Sequence, residues 1–313
     1  MVARPFRRDL AYYVRVWILA ARPVTLTAAI VPVLVGTALA AEHGPLSWAL
    51  FALAFLGSVF IQVGTNLADE YTDHRSQGRE AKYPAPHKVI ARGLLSPQAV
   101  LMGLLVSFGL STAMGLYIVA QVGWPILVVG LLSTMAGYLH SSGPFPLGRY
   151  LLGELTVFIF MGPLIVMAAF YVQRQEVTWA VFWASVPVAL WVTAILQANN
   201  LRDREEDSAQ GKHTLATLFS VQVGRWVYAW LLYGAYAALV VEAMAGVVPW
   251  YALAALLSMP RAFKMVGLVS RAKARPALNA VLVGTARLHM QAGLLMAAGI
   301  AIDVALGSRS LPG

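Results

Sequence analysis

Two short stretches of this chain crowd acidic, amide and basic side chains at spacings that suit a metal ion and a phosphate. In the first, NLADEYTD, Asn66 is followed by Asp69, Glu70 and Asp73, and such intervals place all four on one face of a helix. In the second, NNLRDREEDSAQGKHTL, Asn199 and Asn200 precede Asp203 and Asp207, and Lys212 follows Gly211. Carboxylates that share a face at the end of an apolar segment repel one another and lose hydration, so a positive partner must compensate them; a divalent cation that prefers oxygen fits. Arg75, Arg79, Lys82, Lys88 and Arg92 lie behind the first stretch. Magnesium takes few protein carboxylates and completes its shell with water and phosphate oxygens, which leaves lysine and arginine to bind the remaining phosphate oxygens. The combination predicts a diphosphate held through Mg2+ between two helix ends, in apolar surroundings suited to a lipid tail. A single acidic pair at a membrane edge would read as ordinary interfacial charge; two such islands, each with asparagine upstream, read as a site. His74, His87, His140 and His213 are not spaced as ligands of one metal, so no zinc or iron centre is expected.

The elements that must carry these islands are membrane helices. The chain has 313 residues, of which 59% are hydrophobic and 12% charged, and its mean hydropathy is +0.69. A soluble domain cannot bury that much apolar surface, so an all-α, polytopic membrane protein in the lipid bilayer is expected. Apolar runs predict nine transmembrane helices, at about 18–41, 47–73, 98–120, 124–141, 150–172, 178–201, 222–244, 248–269 and 284–307. They would surround a central cavity that opens at the cytoplasmic side. The run Val24–Ala41 is longer than the apolar part of a signal peptide and reads as a span. The chain has no cysteine, which excludes disulfides and thiolate metal sites.

Nine spans place the termini on opposite sides. Of the 23 lysines and arginines, only Arg174 and Arg309 then fall on the side away from the N-terminus. By the positive-inside bias, the N-terminal side is the cytoplasm, and both islands lie on it. The net charge of +9 therefore reads as membrane orientation, with no nucleic-acid partner. Residues 1–313 read as one membrane-embedded domain. Because each island ends an outside-to-inside span, two related four-helix halves are expected, about 16–141 and 150–269, followed by the ninth helix.

The islands resemble the two aspartate-rich motifs of the UbiA superfamily of intramembrane prenyltransferases, and most closely those of the 1,4-dihydroxy-2-naphthoate polyprenyltransferases. That group shows NLANDYxD where this chain reads NLADEYTD, and NNxRDxxxDxxxGKxTL where it reads NNLRDREEDSAQGKHTL. The segments ARPVTL (21–26), GLLSP (93–97) and GPFPLGRYLLGE (143–154) are also similar, so the likeness spans nearly the whole chain. Two departures stand out. The family's Asn-Asp pair is Asp69-Glu70 here, and Ser141-Ser142-Gly143 stands where the family often has Thr-Gly-Gly or Ser-Gly-Gly.

The resemblance implies transfer of a polyprenyl group from its diphosphate to an aromatic acid, 1,4-dihydroxy-2-naphthoate, with loss of carbon dioxide and diphosphate, giving demethylmenaquinone in a cell-membrane enzyme of menaquinone biosynthesis. Magnesium and the basic residues would stabilise the leaving diphosphate, and the apolar cavity would keep water from an allylic cation. Glu70, Asp73, Asp203 and Asp207 are the implied metal ligands, with Asp69 beside them. Asn66, Asn199 and Asn200 would orient metal or diphosphate. Arg22, Lys88, Arg92 and Lys212 would contact phosphate or the acceptor carboxylate. Tyr138 would line the acceptor region, or else belong to the interfacial aromatic belt. The alternatives are a sibling enzyme for another acceptor, such as 4-hydroxybenzoate or homogentisate, and a cation-coupled transporter. The latter should carry charges near mid-membrane, whereas here they gather at one face.

Overall fold

A computed structural model describes residues 9–76, 87–141, 147–209 and 211–307. It is built of helices, and no strand occurs among the described residues. The first is α1 (Leu10–Ala21), capped by the Asp9 carboxylate on the Tyr12 N–H. It stops at Arg22, which takes a left-handed conformation with φ of 52° before Pro23 opens α2 (Pro23–Ala41). A residue preceding proline is disfavoured in the α region, so the chain breaks here. The single span expected over 18–41 is therefore two helices. The 12 residues of α1 are too few to cross a bilayer, which needs about 20.

Next come α3 (Trp48–Ser76), α4 (Pro97–Val122) and α5 (Pro125–Ser141). The following rod is α6 (Leu152–Ile159) joined to α7 (Ile165–Arg174) through a π-turn at Phe160–Leu164. Pro163 lies within that turn and has no N–H for the regular ladder. A short α8 (Trp179–Ala184) leads into α9 (Val186–Ala209), and α10 (Leu215–Leu218) into α11 (Val221–Met244). A 3-10 segment, Trp250–Ser258, continues into α12 (Met259–Arg271), and α13 (Arg275–Leu306) closes the chain. Among the described residues, eight helical rods are long and apolar enough to cross a membrane. The expected fourth span is the apolar α5, whose 17 residues give it a length of about 26 Å. The last helix begins at Arg275, nine residues before its expected start, because Pro276 supplies the fixed φ of a first turn.

The main core joins α2, α7, α9, α11 and α13 around Trp191, Phe170, Tyr228, Leu288 and Met296. Close approach is bought by small residues. A Cβ at Gly36 of α2 would collide with the Val166 carbonyl and come within 2.9 Å of the Ala169 Cβ on α7. A second cluster fixes the island region: Val16 and Ala20 of α1, Leu67 of α3, and Val89, Ile90 and Leu95 of the turn before α4.

Candidate active site

Between α2, α3, α4, α5, the α6–α7 rod and α9 lies a cavity of about 530 Å³. Most of its wall is apolar, including Val33, Leu53, Ile61, Leu116, Phe160 and Val192. Its polar end is built from Arg22, Thr25, Gln62, Asn66, Asp69 and Asn199. Of the residues singled out from the sequence, Arg22, Asn66, Asp69 and Asn199 thus meet at one cavity end. They come from the α1–α2 break, α3 and α9.

The left-handed break turns Arg22 onto α3. Its Nη1 donates to Asp69 Oδ2 at 3.1 Å, and its Nη2 lies 4.0 Å from Glu70 Oε2. Asn66 locks the same junction: its amide donates to the Ala21 carbonyl and to Thr25 Oγ1, each at 2.8 Å. Its Oδ1 accepts from Gln62 at 3.3 Å. The Asn66 N–H groups are therefore committed to the scaffold that aims Arg22. Glu70 is buried, and its Oε1 accepts the Ile90 N–H at 2.9 Å. Lys88, two residues earlier in that turn, bonds Asp73 and sits 3.9 Å from Glu70 Oε2. Glu70 Oε2, Arg22 Nε and Arg22 Nη2 are buried without a hydrogen-bond partner among the described residues. Orphan donors and an orphan acceptor side by side suit an added group that carries both negative charge and positive charge.

On α9 the expectation that Asn199 and Asn200 both face the site is corrected. Adjacent helical residues point about 100° apart. Asn199 lines the cavity and accepts from Arg202 at 2.8 Å, whereas Asn200 is buried and donates to Glu154 Oε1 at 2.9 Å. Glu154 Oε1 also receives the Leu215 N–H at 3.3 Å, tying α6 to α9 and α10. Asp203 is held by Arg202 and by Arg275 Nη2 at 3.0 Å. Asp207 accepts from Lys212 Nζ at 2.6 Å, and the Lys212 N–H closes onto the Asp207 carbonyl at 2.9 Å. Arg202, Arg275 and Glu154 were thus joined to the site by tertiary contacts that spacing along the chain does not show. Arg92 is exposed on the 87–95 turn, and Tyr138 is 57% exposed on α5 and off the cavity wall. Arg79, Lys82 and Ser142-Gly143 lie outside the described residues.

One further residue links the islands. His87 opens the turn that carries Lys88, and the charges of Arg22, Lys88, Arg202 and Asp203 all reach it. Burial first, then the three cations, pushes its imidazole down to about 3, against the opposing pull of Asp203. The turn that carries Lys88 thus lies within the field of charges from both islands.

Among the described residues no three Asp, Glu or His side chains converge into a metal cage. The donor set is nonetheless of the right kind. It offers hard carboxylate oxygens from two helix ends, each paired with a cation that a phosphate could draw away, and magnesium needs only one or two of them.

The fold and site define a polytopic helical membrane protein whose apolar cavity ends in an acid–base cluster suited to a charged head on a lipid tail. The model of the UbiA prenyltransferase family matches residues 29–301, and the chain belongs to that family. It is 36% identical over 197 residues to a 1,4-dihydroxy-2-naphthoate octaprenyltransferase of Bacillus subtilis, a match that spans 63% of each chain. It is 31% identical over 287 residues to the protein of that name from Mycobacterium tuberculosis, covering 91% of this chain and 96% of that one. Among solved structures, a UbiA homolog from Archaeoglobus fulgidus bound to GPP and Mg2+ superposes with a TM-score of 0.62 at 13% identity, covering 90% of this chain and 99% of the other. That likeness speaks for the fold.

Proposed function

We propose that this protein transfers a polyprenyl group from its diphosphate to 1,4-dihydroxy-2-naphthoate, releasing carbon dioxide and diphosphate and yielding the reduced form of demethylmenaquinone. The observation that carries the reading is the cavity itself: an apolar chamber with Arg22, Asn66, Asp69 and Asn199 at one end, flanked by both islands. Support for the acceptor comes from the names of the Bacillus and Mycobacterium relatives, and for the donor from the prenyl diphosphate and Mg2+ in the Archaeoglobus structure.

In this reading the prenyl tail fills the apolar chamber and the diphosphate lies at its polar end. Asp69 and Asp73 from α3 and Asp203 and Asp207 from α9 would hold Mg2+, which when bound supplies positive charge to the leaving diphosphate. Arg22, Lys88 and Lys212 turn from their carboxylates to the phosphate oxygens, and Arg92 closes from the rim. Glu70, which the sequence places among the metal ligands, we assign first to holding the Lys88 turn through Ile90. Asn199 orients the diphosphate, while Asn66 and Asn200 hold Arg22 and α9 in place. The apolar wall excludes water from the allylic carbon while the electron-rich ring attacks it. Tyr138 we assign to the interfacial belt.

We propose further that the two four-helix halves are related, and that the N-terminus and both islands face the cytoplasm from a plasma-membrane protein, since the islands share the cation-rich side. The test of function is a product assay. Purified protein is given magnesium, several prenyl diphosphates and a panel of aromatic acids, and the products are weighed. Prenylated dihydroxynaphthalene lacking the carboxyl carbon supports the proposal. Product only with 4-hydroxybenzoate or homogentisate moves the chain to a sibling activity, and no prenyl transfer at all overturns it.

A further inference from the structure

A second charged region lies away from the cavity, on the seam between α12 and α13. Two contacts set the register of these antiparallel helices. Arg261 donates to Gln291, and Met265 packs so closely on Gly284 that a Cβ there would collide with its sulfur. Those pairs put Lys264 level with Arg287. Gly284, Arg287 and Gln291 share one face of α13, and Arg261, Lys264, Leu268 and Arg271 share one face of α12. Beside the seam, α12 alone lines an open surface hollow of about 310 Å³ with Lys264, Gly267, Leu268 and Arg271, and a Cβ at Gly267 would meet nothing within 4 Å.

The cations here differ from those of the islands. Arg22, Lys88, Arg202, Lys212 and Arg275 are all ion-paired to carboxylates. Among the described residues, Arg261, Lys264, Arg271 and Arg287 have no carboxylate within ion-pair reach, and all four are exposed. Several like charges on one seam repel unless an anion joins them.

Their depth identifies the anion. The 32 residues of α13 extend about 48 Å, well beyond the hydrocarbon thickness of about 30 Å. With Leu306 at the far interface, the near boundary falls about 20 residues earlier, close to Arg287. Lys264 lies level with it, and Arg261 one turn deeper, within reach by snorkelling. A cluster of unpaired cations at that depth meets phospholipid headgroups. We infer that the α12–α13 seam is a binding site for an anionic phospholipid, its phosphate held by Lys264 and Arg287 with Arg261 and Arg271 on either side. This inference is independent of the catalytic reading.

The test uses the full chain purified in a neutral detergent and follows its thermal unfolding with added phosphatidylglycerol, phosphatidylcholine or inorganic phosphate. Phosphatidylglycerol should raise the midpoint by roughly 5 °C, as expected of a ligand that binds only the folded state, and the other two should not. Lys264→Gln/Arg287→Gln should lose at least half of that rise, whereas Arg15→Gln/Arg149→Gln, with the same charge change elsewhere, should keep it. If the double variant does not fold, each single variant should lose part of the rise and Lys264→Arg should retain it. An undiminished rise in the seam variants overturns the inference. So does an equal rise with phosphatidylcholine or with phosphate alone.

Discussion

Glu70 of α3 accepts the backbone N–H of Ile90 at 2.9 Å through Oε1 while its Oε2 lies between Arg22 and Lys88. One buried carboxylate thus fixes the turn that carries Lys88 and shares the charge of both cations. Aspartate, one methylene shorter, is what the family usually has here. The extra length suits a reach to the turn.

Glu70→Gln keeps an acceptor for Ile90, and Glu70→Ala removes it. A hydrogen bond to a charged group is worth about 1.5–3 kcal/mol. We expect Glu70→Gln to retain prenyl transfer within roughly tenfold and Glu70→Ala to lose on the order of 10²-fold. Hydrogen exchange at the Ile90 amide should quicken only in Glu70→Ala. Equal losses in the two variants, with Ile90 protected in both, would remove the positioning role.

Asp73→Asn and Asp203→Asn each preserve shape and delete one charge. Each should lower turnover by on the order of 10²-fold or more, the usual effect of removing one electrostatic stabiliser. Near-wild-type rates in both would refute the metal assignment.

His87 has its folded pKa lowered to about 3 from an ordinary 6.5. The unfolded chain therefore binds a proton between those values that the folded chain refuses. Stability from this group is full above pH 6.5 and is lost as pH falls toward 3. His87→Gln should flatten the fall in thermal stability on acidification, relative to wild type, in scans from neutral to mildly acidic pH. An unchanged slope would show that His87 does not sit in the cationic field of Arg22, Lys88 and Arg202.

Gly115 and Gly130 line the cavity, and a Cβ at either would meet nothing within 4 Å. Leucine at either position should therefore fold and shorten the chamber. In competition assays, Gly115→Leu and Gly130→Leu should shift preference toward shorter prenyl diphosphates. Unchanged chain-length preference in both would place the tail elsewhere.

Gly36 behaves in the opposite way, because its missing Cβ lets α2 touch the Val166 carbonyl of α7. Gly36→Ala should destabilise the protein by about 1–3 kcal/mol, the usual penalty of overpacking, seen as a lower unfolding midpoint in detergent. A midpoint equal to wild type would mean that the α2–α7 contact yields easily.

The helices and islands were legible because membrane helices need long apolar runs and because DxxxD spacing writes one helical face directly into the chain. What escaped was set by tertiary contact. The break at Arg22 reads as one continuous apolar span, yet it is the break that brings this arginine to Asp69. Asn199 and Asn200 look equivalent in sequence, but only the fold shows that Glu154 claims one and the cavity the other. Asp69 and Glu70 are adjacent carboxylates in sequence, and only their opposite surroundings, the cavity wall for one and the Ile90 turn for the other, separate them. The family resemblance supplied the chemistry that residue spacing left open, above all the aromatic acceptor.

We propose that the end of α3 and the end of α9 form one diphosphate site. Its most direct measurement is a double-mutant cycle on prenyl diphosphate binding in the presence of magnesium, using wild type, Asp73→Asn, Asp203→Asn and the double variant. One shared site predicts an interaction energy of about 1 kcal/mol or more between the two positions. Losses that add within about 0.5 kcal/mol would contradict it and leave the islands as two separate charged surfaces.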